Sequence, residues 1–276
     1  MKLFYCHFLG CILLFCGIVQ GSPNDEVLKS LAEYYKDDRT IEQIKKDNIL
    51  ISAASRGDVE MVRQSLANGA LVNSRYLDDT AFLDAGGSDY TALMRASSAG
   101  REEVVKLLIA AKADLDLERD GKSSLYMALM AKKENIVDLL VKAGAKGDPK
   151  QIRLTHDLMR AACRGFKVQQ NDPYPPFPGC IGNPDEAPEI VDVLGRGANI
   201  NSRHPNGYTA LMYAANLGLV DNVKLLLEKG ADASLMTKDN QTALSLVAPA
   251  KLAAVTSGRR QVFELLQSRQ KEIERD

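Results

Sequence analysis

Apolar positions along residues 206–232 recur in a pattern that predicts two short helices joined by a tight turn. Leu211 and Ala214 give the first helix a narrow apolar face, and Thr209 stands where its hydroxyl can cap that helix. Gly218 separates the first helix from a second, leucine-rich one that also ends at a glycine. One such unit cannot bury its own apolar face, so the pattern predicts further copies beside it.

The copies recur at a nearly constant spacing. From Thr91 to Ser123 the interval is 32 residues, and from Thr209 to Thr242 it is 33. A period near 33 with this order of turn, helix and helix resembles the ankyrin repeat, although the family's Thr-Pro-Leu-His signature appears here as Thr-Ala-Leu-Met or looser forms. The resemblance implies an all-α fold, a solenoid of about six repeats over residues 48–248 with helical end caps and β-hairpin-type fingers. A finger is the connection from the second (outer) helix of one repeat to the first (inner) helix of the next.

Two segments flank the array and are expected to cover its exposed apolar ends. Residues 22–47 place Leu28 and Leu31 at helical spacing opposite charged positions, which predicts an N-terminal helical cap. An amphipathic helix that binds a partner is the alternative interpretation of that segment. Residues 249–276 begin with Pro249 and continue as a helix with charged outer positions, which predicts a C-terminal cap.

The first 21 residues form a distinct segment. Lys2 is followed by an apolar run, and small residues before Ser22 suit cleavage after Gly21, so residues 1–21 are predicted to be a secretory signal peptide. The protein is then expected in the periplasm or secreted, with no membrane span after cleavage. A retained membrane anchor and a lipoprotein attached through Cys16 are the alternatives.

Cysteine usage agrees with export. Cys6, Cys11 and Cys16 lie in the leader, which leaves Cys163 and Cys180 in the remaining chain. One pair of cysteines in an oxidising compartment predicts one disulfide between them. Two unrelated thiols are the alternative.

Charge and motifs narrow the function classes. A formal net charge of −1 and a pI near 6.3 argue against a general nucleic-acid binder. No phosphate-binding loop, nucleophile elbow or zinc-protease motif is present, and His156 and His204 lie in different repeats without metal-ligand spacing. We therefore expect neither an enzyme nor a cofactor or metal.

The period is interrupted by two inserts. Residues 76–87 lengthen the first finger, and residues 166–188 form a proline-rich loop between the two helices of the fourth repeat. Fingers and the adjacent inner-helix surface are the usual binding surface of the family that the chain resembles. The predicted partner-binding residues lie in the long finger or at neighbouring turns: Arg75, Tyr76, Asp78, Asp79, Phe82, Leu83, Tyr90, Arg119, Lys122, Arg203 and Tyr208.

Each insert has an alternative interpretation. The apolar finger residues can instead fold back onto the first repeat. The proline-rich loop, expected to be a surface loop held by the disulfide, can instead present an extended segment to a partner.

The resemblance to exported bacterial ankyrin proteins implies a non-catalytic, protein-binding module that is monomeric when free. The most concrete role is an immunity-type inhibitor that caps the active site of an envelope enzyme such as a peptidoglycan hydrolase. The alternatives are an effector that binds a host protein and an accessory protein in oxidative-stress defence.

Overall fold

The computed structural model describes residues 25–77, 90–119, 121–165, 188–248 and 257–273. The predicted signal peptide and most of both inserts lie outside these residues. The helices in chain order are α1 (Asp25–Tyr35), α2 (Ile41–Arg56), α3 (Val59–Ala67), α4 (Ala92–Ala99), α5 (Glu102–Ala110), α6 (Ser124–Met130), α7 (Glu134–Lys142), α8 (Pro149–Ala162), α9 (Ile190–Gly195), α10 (Ala210–Leu217), α11 (Val220–Glu228), α12 (Ala243–Leu246) and α13 (Ser257–Ile273).

The helices stack as a solenoid. The even-numbered helices α2 to α12 are inner helices, each packed against the next, and each is followed by its outer helix. Within the described part of the chain there are six such pairs and no strand, and two isolated antiparallel bridges are the only β-type pairing there. The predicted all-α solenoid of about six repeats is therefore confirmed.

Local signals begin and end the inner helices as the pattern predicts. The hydroxyl of Thr209 accepts the backbone N–H of Met212 at 3.3 Å, and three equivalent hydroxyls cap α4, α6 and α12 in the same way. Gly218 ends α10 with a φ of 71°. Lys132 occupies the corresponding position after α6 with a φ of 55°, a region that disfavours residues with a Cβ, so the third repeat keeps the turn without its glycine.

The predicted boundary between the N-terminal cap and the first repeat, between residues 47 and 48, falls inside the continuous helix α2. Thr40 begins that helix by accepting the backbone N–H of Gln43 at 3.2 Å, about two turns before the position expected from the repeat period. The cap is therefore α1 together with the first turns of α2.

A half-buried arginine joins this cap to the first finger. The Arg39 guanidinium donates to Asp37 from Nε at 2.9 Å and from Nη2 at 2.8 Å, and its Nη1 donates to Asp47 at 2.6 Å. The fully buried Asp47 also accepts the backbone N–H of Leu71 at 2.7 Å. Arg39 reaches the carbonyl of Arg75 at 3.2 Å as well, and its hydrogen bonds hold the pKa of Asp37 below its ordinary value. The finger therefore starts from a fixed base.

We predict that Arg39→Ala lowers the free energy of unfolding by about 3 kcal/mol, because Asp47 would stay buried without its cation. The matched control is Arg153→Ala, which removes an exposed pair with Glu134 and is expected to cost less than about 1 kcal/mol. Urea unfolding followed by circular dichroism measures both changes. Equal losses in the two variants would contradict a structural role for the buried pair.

Candidate functional site

The fourth repeat lacks a finger. Its inner helix α8 has 14 residues, whereas α10 has 8, and it begins directly after the short connection 143–148. Asp148 accepts the backbone N–H of Lys150 at 2.8 Å, and Pro149 occupies the first turn, so Asp-Pro starts the helix early. The repeat period by itself would place the start of this helix near Leu158, about two turns later than the helix actually begins. Extra helical turns stand where the other repeats have a finger.

The missing finger brings its two neighbours together. Gly121, at the tip of the finger before α6, has a φ of 73° and lies against the backbone of Pro205, in the finger before α10. A Cβ built on Gly121 would come within 2.0 Å of the Pro205 carbonyl oxygen. Gly207 makes a looser contact with the following finger, where a Cβ built on it would lie 3.2 Å from the backbone nitrogen of Lys238. Three fingers therefore form a continuous edge above α8.

A pocket of about 640 Å³ opens between these fingers and α8. Half-buried or buried side chains line its floor, among them Tyr126, Ile152, Thr155, His156 and His204. Exposed charged side chains line its rim: Glu118, Lys146, Asp148, Arg203 and Lys238. We call this cavity the finger-gap pocket.

A buried histidine connects the third and fifth repeats at the floor of the pocket. The Nε2 atom of His204 lies 3.3 Å from the Tyr126 hydroxyl. Its Nδ1 atom lies 3.0 Å from Asn206 Oδ1 and 3.1 Å from the Tyr213 hydroxyl, to which Asn206 Nδ2 donates at 2.7 Å. The amide oxygen can only accept, so this geometry fits a neutral imidazole that carries its proton on Nδ1.

Burial controls the ionisation of this cluster. It lowers the pKa of His204 to about 4, and it raises the pKa of Tyr126 to about 12. The pKa of His156 is also lowered by burial. The floor of the pocket is therefore uncharged at neutral pH, and the formal charges of the pocket lie on its rim.

Three aromatic residues of the predicted binding set pack into the protein. Tyr90 is only 6% exposed and lies between Arg95 and Lys122, whose Nζ donates to its hydroxyl at 3.1 Å. Tyr76 packs against the core of the first three repeats, and Tyr208 packs against the core of the last three. Each ring therefore buries apolar area against the solenoid, and for Tyr76 this agrees with the alternative that the apolar finger residues fold back onto the first repeat. Their role in binding stays a prediction.

The described charged residues of the predicted partner-binding set lie at different places in the structure. Arg203 lines the finger-gap pocket, where its Nη1 donates to the carbonyls of Gly207 and Met236. Arg119 and Lys122 pair through their backbones at the turn of the finger before α6. Arg75 pairs with Thr91 at the base of the first finger. The remaining predicted residues lie outside the described residues: Asp78, Asp79, Phe82 and Leu83.

The sequence reasoning missed most of the pocket. Lys146 and Lys238 on its rim and Tyr126 on its floor were not among the predicted site residues. The useful signal was Asp148-Pro149, a helix start about two turns before the position set by the repeat period. A helix that begins there leaves no room for a finger, and its neighbours must then meet.

The structure describes one of the two cysteines of the predicted disulfide. Cys163 is 3% exposed at the end of α8. Cys180 lies outside the described residues, so its pairing with Cys163 stays a prediction.

The described residues contain no group of three or more histidine, cysteine, aspartate or glutamate side chains placed to hold a metal ion. None of the described helices combines the length and apolar character that a membrane span requires.

A family model for ankyrin repeats in three copies matches residues 79–151 and 181–275. Similar proteins include the NAD-capped RNA hydrolase NUDT12 of Homo sapiens, 38% identical over 24% of this chain and 15% of its own length. The ankyrin repeat and KH domain-containing protein mask-1 of Caenorhabditis elegans is 33% identical over 52% of this chain and 5% of its own. The human transient receptor potential cation channel subfamily A member 1 is 24% identical over 78% and 23%. These relatives are eukaryotic, and the chain spans less than a quarter of the length of each.

The buried His204 predicts a specific pH dependence of stability. At pH values between 6.5, the ordinary pKa of His204, and about 4, its pKa in the folded protein, the unfolded chain binds a proton that the folded chain does not bind. The free energy of unfolding should therefore fall as the pH falls through this window, by up to about 3 kcal/mol. In His204→Gln this fall should shrink.

His156 also contributes to the fall of the free energy of unfolding at low pH, because its pKa is lowered as well. The comparison variant is therefore His156→Gln, which should keep the part of the fall that is due to His204. Urea unfolding at several pH values between 4 and 6.5 measures the slopes. A His204→Gln slope identical to that of the unmodified protein would contradict the assignment.

The contact between the two fingers predicts a position-specific cost. Gly121→Ala should lower the free energy of unfolding by about 2 kcal/mol more than Gly144→Ala, because the added methyl group would overlap the Pro205 backbone. Gly144 also has a positive φ, 96°, but no atom lies within 4 Å of a Cβ built there, so it controls for backbone strain alone. Similar costs for both substitutions would show that the fingers separate freely.

Proposed function

Because this chain belongs to the ankyrin-repeat family, we propose that it is a non-catalytic module that binds another protein with the finger side of its solenoid. The observation that carries the proposal is the finger-gap pocket, an open cavity beside three fingers that support one another. Cavities of this size accommodate side chains or small ligands. Both ring nitrogens of His204 are already engaged with Tyr126, Asn206 and Tyr213, which favours a structural role for this imidazole over proton transfer.

We further propose that the protein acts outside the cytoplasm, in a periplasm or the extracellular space. The proposal rests on the signal-peptide pattern of residues 1–21, with cleavage after Gly21. The predicted disulfide between Cys163 and Cys180 is consistent with this location, because disulfides persist in oxidising compartments.

The finer proposal is an immunity-type inhibitor that caps the active site of an envelope enzyme such as a peptidoglycan hydrolase. The long finger would enter the cleft of the enzyme while the neighbouring fingers contact its rim. Support comes from the base of that finger. Arg39 bonds the carbonyl of Arg75, and the Asn48 amide bonds both backbone groups of Leu77. An ordered base lowers the entropy lost when a finger binds.

The test combines binding with enzyme inhibition. The processed chain, immobilised, should retain an enzyme from the envelope fraction of its source cell, and adding the chain should slow wall hydrolysis by that enzyme in proportion to the amount added. A variant with residues 78–88 replaced by Gly-Gly should bind about 30-fold more weakly, the equivalent of one lost anchor of about 2 kcal/mol. Its melting temperature should stay close to that of the unmodified chain, because Tyr76 and Leu77 at the base are retained.

The control is Lys142→Glu, a change at an exposed position of the outer helix α7. It should leave binding and inhibition unchanged. A trimmed variant that inhibits as well as the unmodified chain would contradict the finger's role. Retention of a host protein, or of an oxidative-stress enzyme, with no effect on wall hydrolysis would replace the inhibitor proposal by one of its alternatives.

A further inference from the structure

We propose that the finger-gap pocket binds a carboxylate-bearing side chain of the protein partner, next to an apolar one, from an extended segment. This inference rests on the proposed function only in assuming that the partner is a protein. It names the chemistry that the pocket recognises, which neither the fold nor the relatives specify.

Arg203 and Lys238 place two cations on the rim of the pocket. Arg203 donates to two backbone carbonyls, of Gly207 and Met236, and these bonds fix its guanidinium without neutralising its charge. Lys238 is exposed on the adjacent finger. The two cations lie on neighbouring fingers of one pocket, which favours an anionic group between them.

The acidic residues of the rim do not cancel this preference. Asp148 accepts the N–H of Lys150 as the cap of α8, so the positive end of the helix dipole partly offsets its charge. Lys146 lies 3.3 Å from Asp116, which offsets its own charge. Among the described lining residues, Glu118 is the remaining carboxylate, and it faces a rim that carries two cations, Arg203 and Lys238.

The floor of the pocket carries no charge at neutral pH. It consists of neutral side chains, because burial keeps His156 and His204 uncharged at neutral pH and keeps the Tyr126 hydroxyl protonated. An entering carboxylate therefore meets no negative charge below it. Hydroxyl and imidazole groups remain within the lining as hydrogen-bonding neighbours.

The pocket also offers apolar surface beside its cations, which suits an apolar residue next to the acidic one. Ile152 contributes apolar surface to the lining, and Met236 is 50% exposed although it is a large apolar residue. The Met236 carbonyl accepts from Arg203, so the apolar and cationic surfaces are adjacent. An extended partner segment that places an acidic and an apolar side chain next to each other matches both surfaces.

The experiment uses two peptides that differ only in charge. Acetyl-Gly-Glu-Leu-Glu-Gly-amide and the same peptide with both Glu residues replaced by Gln are titrated into the ¹⁵N-labelled processed chain. We expect the Glu peptide to shift the backbone amides of Ile152, Gly207 and Lys238, and to bind about five-fold more tightly than the Gln peptide at low salt. Its binding should weaken as salt is added, because the rim is exposed.

Variants locate the site. Lys238→Glu should remove the preference for the Glu peptide without disturbing the bonds that Arg203 makes. Arg203→Glu should also remove the preference, although it loses those bonds as well. The control double variant, Lys142→Glu with Lys224→Glu, carries a larger charge change on exposed positions of outer helices and should bind like the unmodified chain.

Each result decides the inference. Equal affinity for the two peptides, shifts confined to other parts of the solenoid, or unaltered selectivity in Lys238→Glu would overturn it. Equal shifts of the same amides by inorganic phosphate would also overturn it, since the pocket would then be a general anion site. If the pocket does not prefer the Glu peptide, the proposed function still stands provided that trimming the first finger weakens binding of the captured enzyme. Conversely, peptide selectivity without any captured protein would support the pocket and contradict the proposed function.

Discussion

The structure depends on the close packing of consecutive inner helices. Each of these helices carries small apolar residues on its packing face, such as Ala214 and Ala215 in α10, which are fully buried. Small side chains allow the helix axes to approach one another, and the apolar area removed from water stabilises the stack. Because no pair of helices buries its face alone, the fingers, caps and inserts are all attachments to this stack.

A single change in one inner helix explains the candidate site. The stack tolerates a longer helix as long as its packing face is kept, and α8 keeps Leu158 and Met159 fully buried while extending in the direction of the fingers. Because of this extension the fourth repeat has no finger, and the fingers of the adjacent repeats border the cavity that results. The site is thus produced by a variation in length, and the residues that line it come from three different repeats and the finger of a fourth.

Local rules account for what the sequence predicted well. The hydroxyl at Thr209 and the glycine at Gly218 act within one turn of their helix, so their effect can be derived without a structure. Contacts between distant segments could not be derived in this way. The burial of Tyr90 between Arg95 and Lys122, and the meeting of Tyr126 with His204, require knowing which repeats touch. The early start of α8 has a local signal, Asp148-Pro149, that the repeat period does not contain.

The contact between Tyr126 and His204 has a consequence for cooperativity. In an ideal solenoid each repeat interacts only with its two neighbours, so the array unfolds like a one-dimensional chain that can fray from either end. Here the third repeat also touches the fifth through Tyr126 with His204 and through Gly121 with Pro205, across the fourth. This next-nearest-neighbour coupling closes a loop of interactions in the middle of the array. The three central repeats are thereby joined into a single cooperative block, and fraying from the ends is expected to stop at its borders.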